Sequence, residues 1–274
     1  LNPPIPVAQV NMPYIHNPLP YDVDGDSLVW SIDVPQENNL PQNPNAAADI
    51  PGYTAIPTSA AMPLTMNALT GEISFEPTTL GNFVLSVICE EYRNGIYLGK
   101  IRRDVQIIVI PSNNIPPANM PACNHSPIFP GMYAVNVGNN FTYTITSSDA
   151  DNQALDIISN GEPLFLSNNP ALFTHTAGIG SANASFSWIP DASQMRSDPY
   201  LVTFSVQDQF GQFTFSNDYT IGIYVQPMAT SMNEIEANSE VSLYPNPTAD
   251  AATLTLQATE TQIITIAVYN MLGA

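Results

Sequence analysis

Along most of this chain, large and small polar side chains alternate one by one. Phe141-Thr142-Tyr143-Thr144-Ile145-Thr146 sets its large residues on one face and its threonines on the other. Tyr200, Val202, Phe204 and Val206 alternate with Leu201, Thr203, Ser205 and Gln207, and Tyr219, Ile221, Ile223 and Val225 repeat the device. β-Branched and aromatic residues at a spacing of two predict half-buried strands. No stretch has a convincing 3.6-residue period. Asn94-Gly95 lies between two strand-like runs, 84–92 and 96–110. That pair suits a two-residue type I′ hairpin, whose central residues both need a positive φ. The 26 prolines leave no room for long helices. Many short strands separated by Pro, Gly and Asn predict an all-β protein built from sandwiches.

Two stretches rich in proline or polar residues, 112–122 and 229–239, divide the chain into 1–111, 123–228 and 240–274. The first two parts share a pattern. Asp22-Val23-Asp24-Gly25-Asp26-Ser27-Leu28 leads into a strand with Trp30, and Asp149-Ala150-Asp151-Asn152-Gln153-Ala154-Leu155 leads into Ile157-Ile158. An Asp-x-Asp turn before a strand in both parts predicts two tandem sandwiches of common origin. Trp30 and Trp188 follow the alternation and are expected in the cores. The last part has three strand-like pieces, 241–244, 253–257 and 263–269. They are too few to bury a sandwich core alone, so a partial third sandwich is expected.

Charge narrows the partners. There are 24 acidic and 5 basic residues, a net charge of −19. This argues against nucleic acid and against an anionic membrane surface, since both need Lys and Arg. No apolar run reaches 18 residues, so no transmembrane helix is expected. The chain opens on Leu1 without a signal peptide, as expected of a mature product or a fragment. Four of the five bases, Arg93, Lys100, Arg102 and Arg103, fall in one short window. They would suit an acidic or sulfated glycan, or form a solvated hairpin offset by Glu90, Glu91 and Asp104.

Candidate chemistry is sparse. Gly25-Asp26-Ser27-Leu28 spells the signature of a lipase and esterase family, whose serine nucleophile needs an Asp-x-x-His base. Leu172, Phe173 and Thr174 precede His175, and no histidine follows it. A nucleophile without a base is inert. His16, His125 and His175 are scattered, with no zinc-type spacing. No catalysis is expected. The Asp-x-Asp turns are the best candidates. Asp22, Asp24 and Asp26 place hard oxygen donors at alternate positions, which suits Ca²⁺. Turns in which Asp accepts backbone N–H bonds would account for the same spacing, above all at Asp149 and Asp151. No other cofactor is expected. Cys89 and Cys123 are the only cysteines. A disulfide between them is permitted outside the cell, and a buried thiol at Cys89 is the alternative.

Both main parts resemble the cadherin-like, immunoglobulin-type repeats of bacterial surface proteins. In the first the carriers are Asn17-Pro18, the Asp22 to Leu28 turn, Leu69-Thr70-Gly71-Glu72-Ile73-Ser74-Phe75, and the run from Glu91 to Val109. In the second they are Asn124-His125-Ser126-Pro127-Ile128-Phe129, the Asp149/Asp151 turn, Phe186-x-Trp188-x-Pro190, and the strand from Pro199-Tyr200 to Asp208. The resemblance implies tandem immunoglobulin-like (cadherin-like) β-sandwiches, and in cadherins such turns hold Ca²⁺ between repeats. Asp26-Ser27-Leu28 resembles an O-glycosylation acceptor of such bacteria, at Ser27.

The tail is more specific. Tyr244-Pro245-Asn246-Pro247, followed about 25 residues on by Tyr269-Asn270-Met271-Leu272-Gly273, resembles the type IX secretion C-terminal sorting domain. Tyr244, Pro245, Asn246, Pro247, Tyr269, Asn270 and Gly273 carry that likeness. It implies an outer-membrane translocon, a shuttle and a sortase as partners, with export through the periplasm to the cell surface or the medium. The function expected is a structural or adhesive segment of an exported protein. Alternatives are a filament subunit exchanging strands and a binding module of a secreted enzyme lying upstream. Other copies of the chain and surface glycans are the further partners expected.

Overall fold

A computed structural model describes residues 6–18, 22, 25–38, 47–111, 113–228, 240–244 and 253–257. Residues 1–228 make one compact unit and 229–274 a second. The first unit is all β, apart from two 3₁₀ turns at Glu162–Phe165 and Ala192–Gln194. It holds two tandem immunoglobulin-like sandwiches.

The first sandwich contains β1 (Val7–Gln9), β2 (Tyr14–His16), β3 (Ser27–Asp33), β4 (Gln36–Asn38), β5 (Ala47–Asp49), β6 (Thr65–Met66), β7 (Ile73–Phe75), β8 (Gly81–Arg93) and β9 (Ile96–Ile110). One sheet runs β1-β9-β8-β3 and the facing sheet β2-β7-β6, with β4 and β5 as a separate hairpin. The second contains β10 (Ala118–Cys123), β11 (Met132–Asn136), β12 (Phe141–Ser148), β13 (Ala154–Gly161), β14 (Leu172–Thr176), β15 (Gly178–Ile179), β16 (Ser181–Trp188), β17 (Tyr200–Phe210) and β18 (Phe213–Gln226). Its sheets run β10-β12-β16-β14 and β11-β18-β17-β13-β15.

The two sandwiches share a detail of strand pairing. In each, a strand near the start lies parallel to the last strand: Val7 opposite Ile108 in the first and Met132 opposite Gly222 in the second. In each, the last two strands form a long antiparallel hairpin. The repeat read from the two Asp-x-Asp turns is therefore a repeat of topology.

Alternation places the cores where the sequence predicts them. Phe141, Tyr143 and Ile145 of β12 face Val202, Phe204 and Val206 of β17, and the rings of Tyr143 and Phe204 stack with centroids 5.2 Å apart. Trp188 is 1% exposed, and its indole N–H donates to Asn169 O at 2.9 Å. Trp30 packs against the first core. Its ring lies over Gly71, where a Cβ would come within 3.0 Å of it; with φ at +72°, only glycine fits there without strain. Asn94 and Gly95 both have positive φ, 53° and 76°, as the type I′ hairpin requires.

One boundary shifts. Strand β10 begins at Ala118, inside the stretch read as a linker, and pairs with β12 from Ala118–Ser148 to Cys123–Tyr143. Pro121 is tolerated because β10 is an edge strand, where a missing N–H costs no ladder bond. In the second unit, β19 (Glu240–Tyr244) and β20 (Thr253–Gln257) form an antiparallel pair. The third expected piece, 263–269, lies outside the described residues.

Candidate functional site

The residues that carry the family likeness in the first sandwich build its contact with the second. Asn17 follows β2 and is fully buried. Its backbone N–H donates to Asp218 Oδ2 at 2.8 Å, and its amide Nδ2 donates to Thr70 O at 2.9 Å and Thr220 Oγ1 at 2.8 Å. Thr70 sits where it does because the preceding turn is closed by Asn67, whose Oδ1 accepts from the N–H groups of Leu69 and Thr70. One residue past Gly71, Glu72 accepts from Thr220 N at 3.3 Å. His16 Nδ1 lies 3.5 Å from Asp218 Oδ2. Burial, with the Asp218 charge adding to it, raises the Glu72 carboxyl above the ordinary carboxylate range. Asp218, Thr220 and Thr203 escape a sequence reading, since polar residues on an alternating strand look like solvent positions. Asn114, just past β9, ties the connection down by donating to the buried Asp208 at 2.6 Å.

At the Asp-rich turn the structure brings Asp22 and Asp26 together and adds Glu91, which lies opposite Leu28 across the β3–β8 ladder. Ligand oxygens of these three lie within 4.8 Å of one another. Asp24 lies outside the described residues. The donor chemistry suits Ca²⁺, which takes six to eight oxygens. Arg93 is the competitor: it grips both oxygens of Asp26, at 2.8 and 2.7 Å. That bond holds the Asp26 carboxyl below the usual range, while a hydrogen bond to Asp26 pushes Glu91 up. Asp22 Oδ1 also accepts from Asp26 N at 3.0 Å, closing the turn. In the second sandwich, Asp149 accepts from the N–H groups of Asp151 and Gln153, at 3.1 and 2.6 Å, as an Asx turn does.

The other candidates divide. Ser27 is half-buried, and its hydroxyl donates to Asp198 of the second sandwich. Two bases of the window are paired across strands, Arg93 with Asp26 and Arg102 with Asp33 at 2.5 Å. Asp26 and Asp33 join the expected acids, of which Glu90 lies opposite Lys100 across the β8–β9 ladder. Register decides the second pair, because Arg102 lies opposite Ile88 and Ile88 opposite Ser31, two residues before Asp33 on the same face of β3.

Cys89 and Cys123 are both free thiols, so the structure does not contain the disulfide permitted by the sequence. They sit in sheets of different sandwiches, Cys89 on β8 and Cys123 on β10. Burial, with Glu91, Asp22 and Glu90 nearby, pushes the Cys89 thiol up to about 11. In the tail, the backbone of Tyr244 ends β19. Pro245, Asn246, Pro247, Tyr269, Asn270 and Gly273 lie outside the described residues.

No protein-family model and no curated protein matches this chain. Among solved structures it is similar to cadherin-like domains 1 to 4 of zebrafish RET, with TM-score 0.25, 11% identity, 81% of this chain and 46% of that chain covered. It is similar to a SusE-like, surface-located polysaccharide-binding protein from the heparin utilisation locus of Bacteroides thetaiotaomicron, with TM-score 0.26, 11% identity, and 88% and 35% covered. A third is the extracellular cadherin domains 1–5 of protocadherin gamma B2, with TM-score 0.28, 11% identity, and 89% and 40% covered. The chain spans less than half the length of each.

Proposed function

We propose that this chain is a non-catalytic structural or adhesive segment of a protein exported to the bacterial cell surface or the medium. The observation that supports this most is the joining of two sandwiches into one compact unit by buried hydrogen bonds through Asn17. Such a joint suits a segment that holds a fixed spacing under load. The acidic surface keeps copies apart in solution.

The tail carries the address in this reading. Tyr244-Pro245-Asn246-Pro247 starts at the last residue of β19 and would be read by type IX secretion machinery. A periplasmic reporter fused to the complete tail of the gene product should reach the cell surface. Replacing those four residues with Gly and Ser should hold it in the periplasm. Equal surface display of both fusions sinks the sorting reading.

Calcium belongs to the same proposal, as a clip at Asp22, Asp26 and Glu91. Ligand binding to the folded state raises Tm by mass action. Calcium should therefore raise Tm by several degrees, and more so in Arg93→Gln, where Asp26 is released from its internal cation. A melt indifferent to calcium and to chelator in both proteins removes the clip.

A further inference from the structure

The likeness to cadherins implies calcium at an Asp-x-Asp turn between repeats. In this chain the turn that meets the connection from β9 is Asp149–Asp151. Its carboxylates already have donors. Asp149 accepts from Asp151 N at 3.1 Å on one oxygen and from Gln153 N at 2.6 Å on the other. Asp151 Oδ2 accepts from Ile115 N at 2.8 Å. Asp208, on β17 and 1% exposed, accepts from Asn114 Nδ2 at 2.6 Å. Four of the six carboxylate oxygens therefore take an N–H, and two of those donors belong to the connection itself.

These residues do not fit calcium, which takes six to eight oxygens. The connection supplies no acid, since 112–117 reads Ser-Asn-Asn-Ile-Pro-Pro. Asp149, Asp151 and Asp208 do not bring ligand oxygens within 4.8 Å of one another, as Asp22, Asp26 and Glu91 do. The space beside Asp208 measures about 20 Å³, room for about one water. Asp208 is the single charged residue lining it, so an ion there would meet one carboxylate. What the carboxylates meet is the positive end of N–H dipoles. Bonds of that kind are shorter and stronger than those between neutral groups. They also cross the connection: Asn114 and Ile115 leave the last strand of the first sandwich, and Asp208 and Asp151 belong to the second.

We propose that Asn114 and Ile115 hold the second sandwich in place of a cation, so that the joint between the two sandwiches sets without calcium. This goes beyond the adhesive reading and stands apart from the clip at Asp22, Asp26 and Glu91. The test is amide hydrogen exchange, residue by residue, on the 274-residue chain in EGTA and in millimolar calcium. Ile115, Asp151 and Gln153 should exchange at the same rate in both, within about twofold. Asp151→Ala, a change at an exposed residue, should speed exchange at Ile115 about tenfold in both buffers. Asn114→Leu keeps the size, removes the donor to Asp208, and should also speed Ile115 about tenfold in both. Asn114→Asp sets a second carboxylate against Asp208. It alone should become calcium-dependent, with exchange at Ile115 at least about threefold slower in calcium than in EGTA. Parent amides at the joint that slow with calcium, in Asp26→Asn as well, overturn the proposal. So does either neutral variant exchanging like the parent, or an Asn114→Asp protein indifferent to calcium. If Asn114→Asp folds only when calcium is added, that folding is the expected dependence; if it folds in neither buffer, Asn114→Leu and Asp151→Ala decide. A rise of Tm with calcium that vanishes in Asp26→Asn belongs to the clip and leaves the joint as proposed.

Discussion

Replacing Trp188 with alanine should cost the second sandwich about 3–5 kcal/mol. For a unit of this size that is a fall in Tm on the order of 10 °C. Trp188 ends β16 at 1% exposure, the largest of the fully buried side chains. Its ring meets Tyr200 edge to face at 4.9 Å between centroids. Removing it opens a cavity at the end of the core and leaves Asn169 O without its donor. Trp188→Phe restores most of the volume and should recover more than half of the loss. Calorimetry on the three proteins measures this. An alanine variant that melts with the parent, or an indole reached freely by a soluble quencher, would show that the ring lies outside the core.

The second large effect belongs to the joint. Asn17→Ala should destabilise by about 2–4 kcal/mol, because Thr70 O and Thr220 Oγ1 both lose their donor in a buried site. Amide hydrogen exchange at Ile15, Asn17 and Thr220 should speed up with it, while exchange in β12 and β16 stays slow. The same joint responds to pH through Glu72. A carboxyl raised in the folded state contributes stability that is complete below its unfolded pKa. That contribution is lost as pH rises through the folded value. The Glu72 contribution therefore fades as pH rises above the ordinary carboxylate range. Glu72→Gln keeps an acceptor for Thr220 N and cannot ionise. It should melt above the parent at neutral pH and with it near pH 4. A Tm difference that does not change with pH would show that Glu72 does not carry the joint's pH response.

Most of the architecture is legible in the alternation. Period two in β12, β17 and β18 assigns the faces, the Asn94-Gly95 pair sets one hairpin, and Asn67 with Gly71 closes the turn under Trp30. These are local matters: a strand face is decided by residues two apart, and a turn by the φ its own residues allow. The Asp149 turn belongs to the same class, since an aspartate can bond backbone N–H groups two and four residues on, without help from elsewhere in the chain.

What needed the third dimension was the pairing of residues far apart in the chain. Asn17 and Asp218 are 201 positions apart, and nothing near either one says that the other will bury it. Asp26 reads as a calcium ligand from its neighbours, yet Arg93, 67 positions on, arrives across the sheet and takes both its oxygens. Glu91 joins the cluster only through register, and a one-residue slip would turn it to the other face. Cys89 and Cys123 look pairable in a list and stand in different sandwiches. Asn114 bonds Asp208, 94 positions away, and nothing in the connection marks it as the donor. Periodicity along a strand is written locally, because it is decided by the chain's own geometry. Which strands become neighbours, and so which side chains share a site, is decided by the closing of two sheets over a common core.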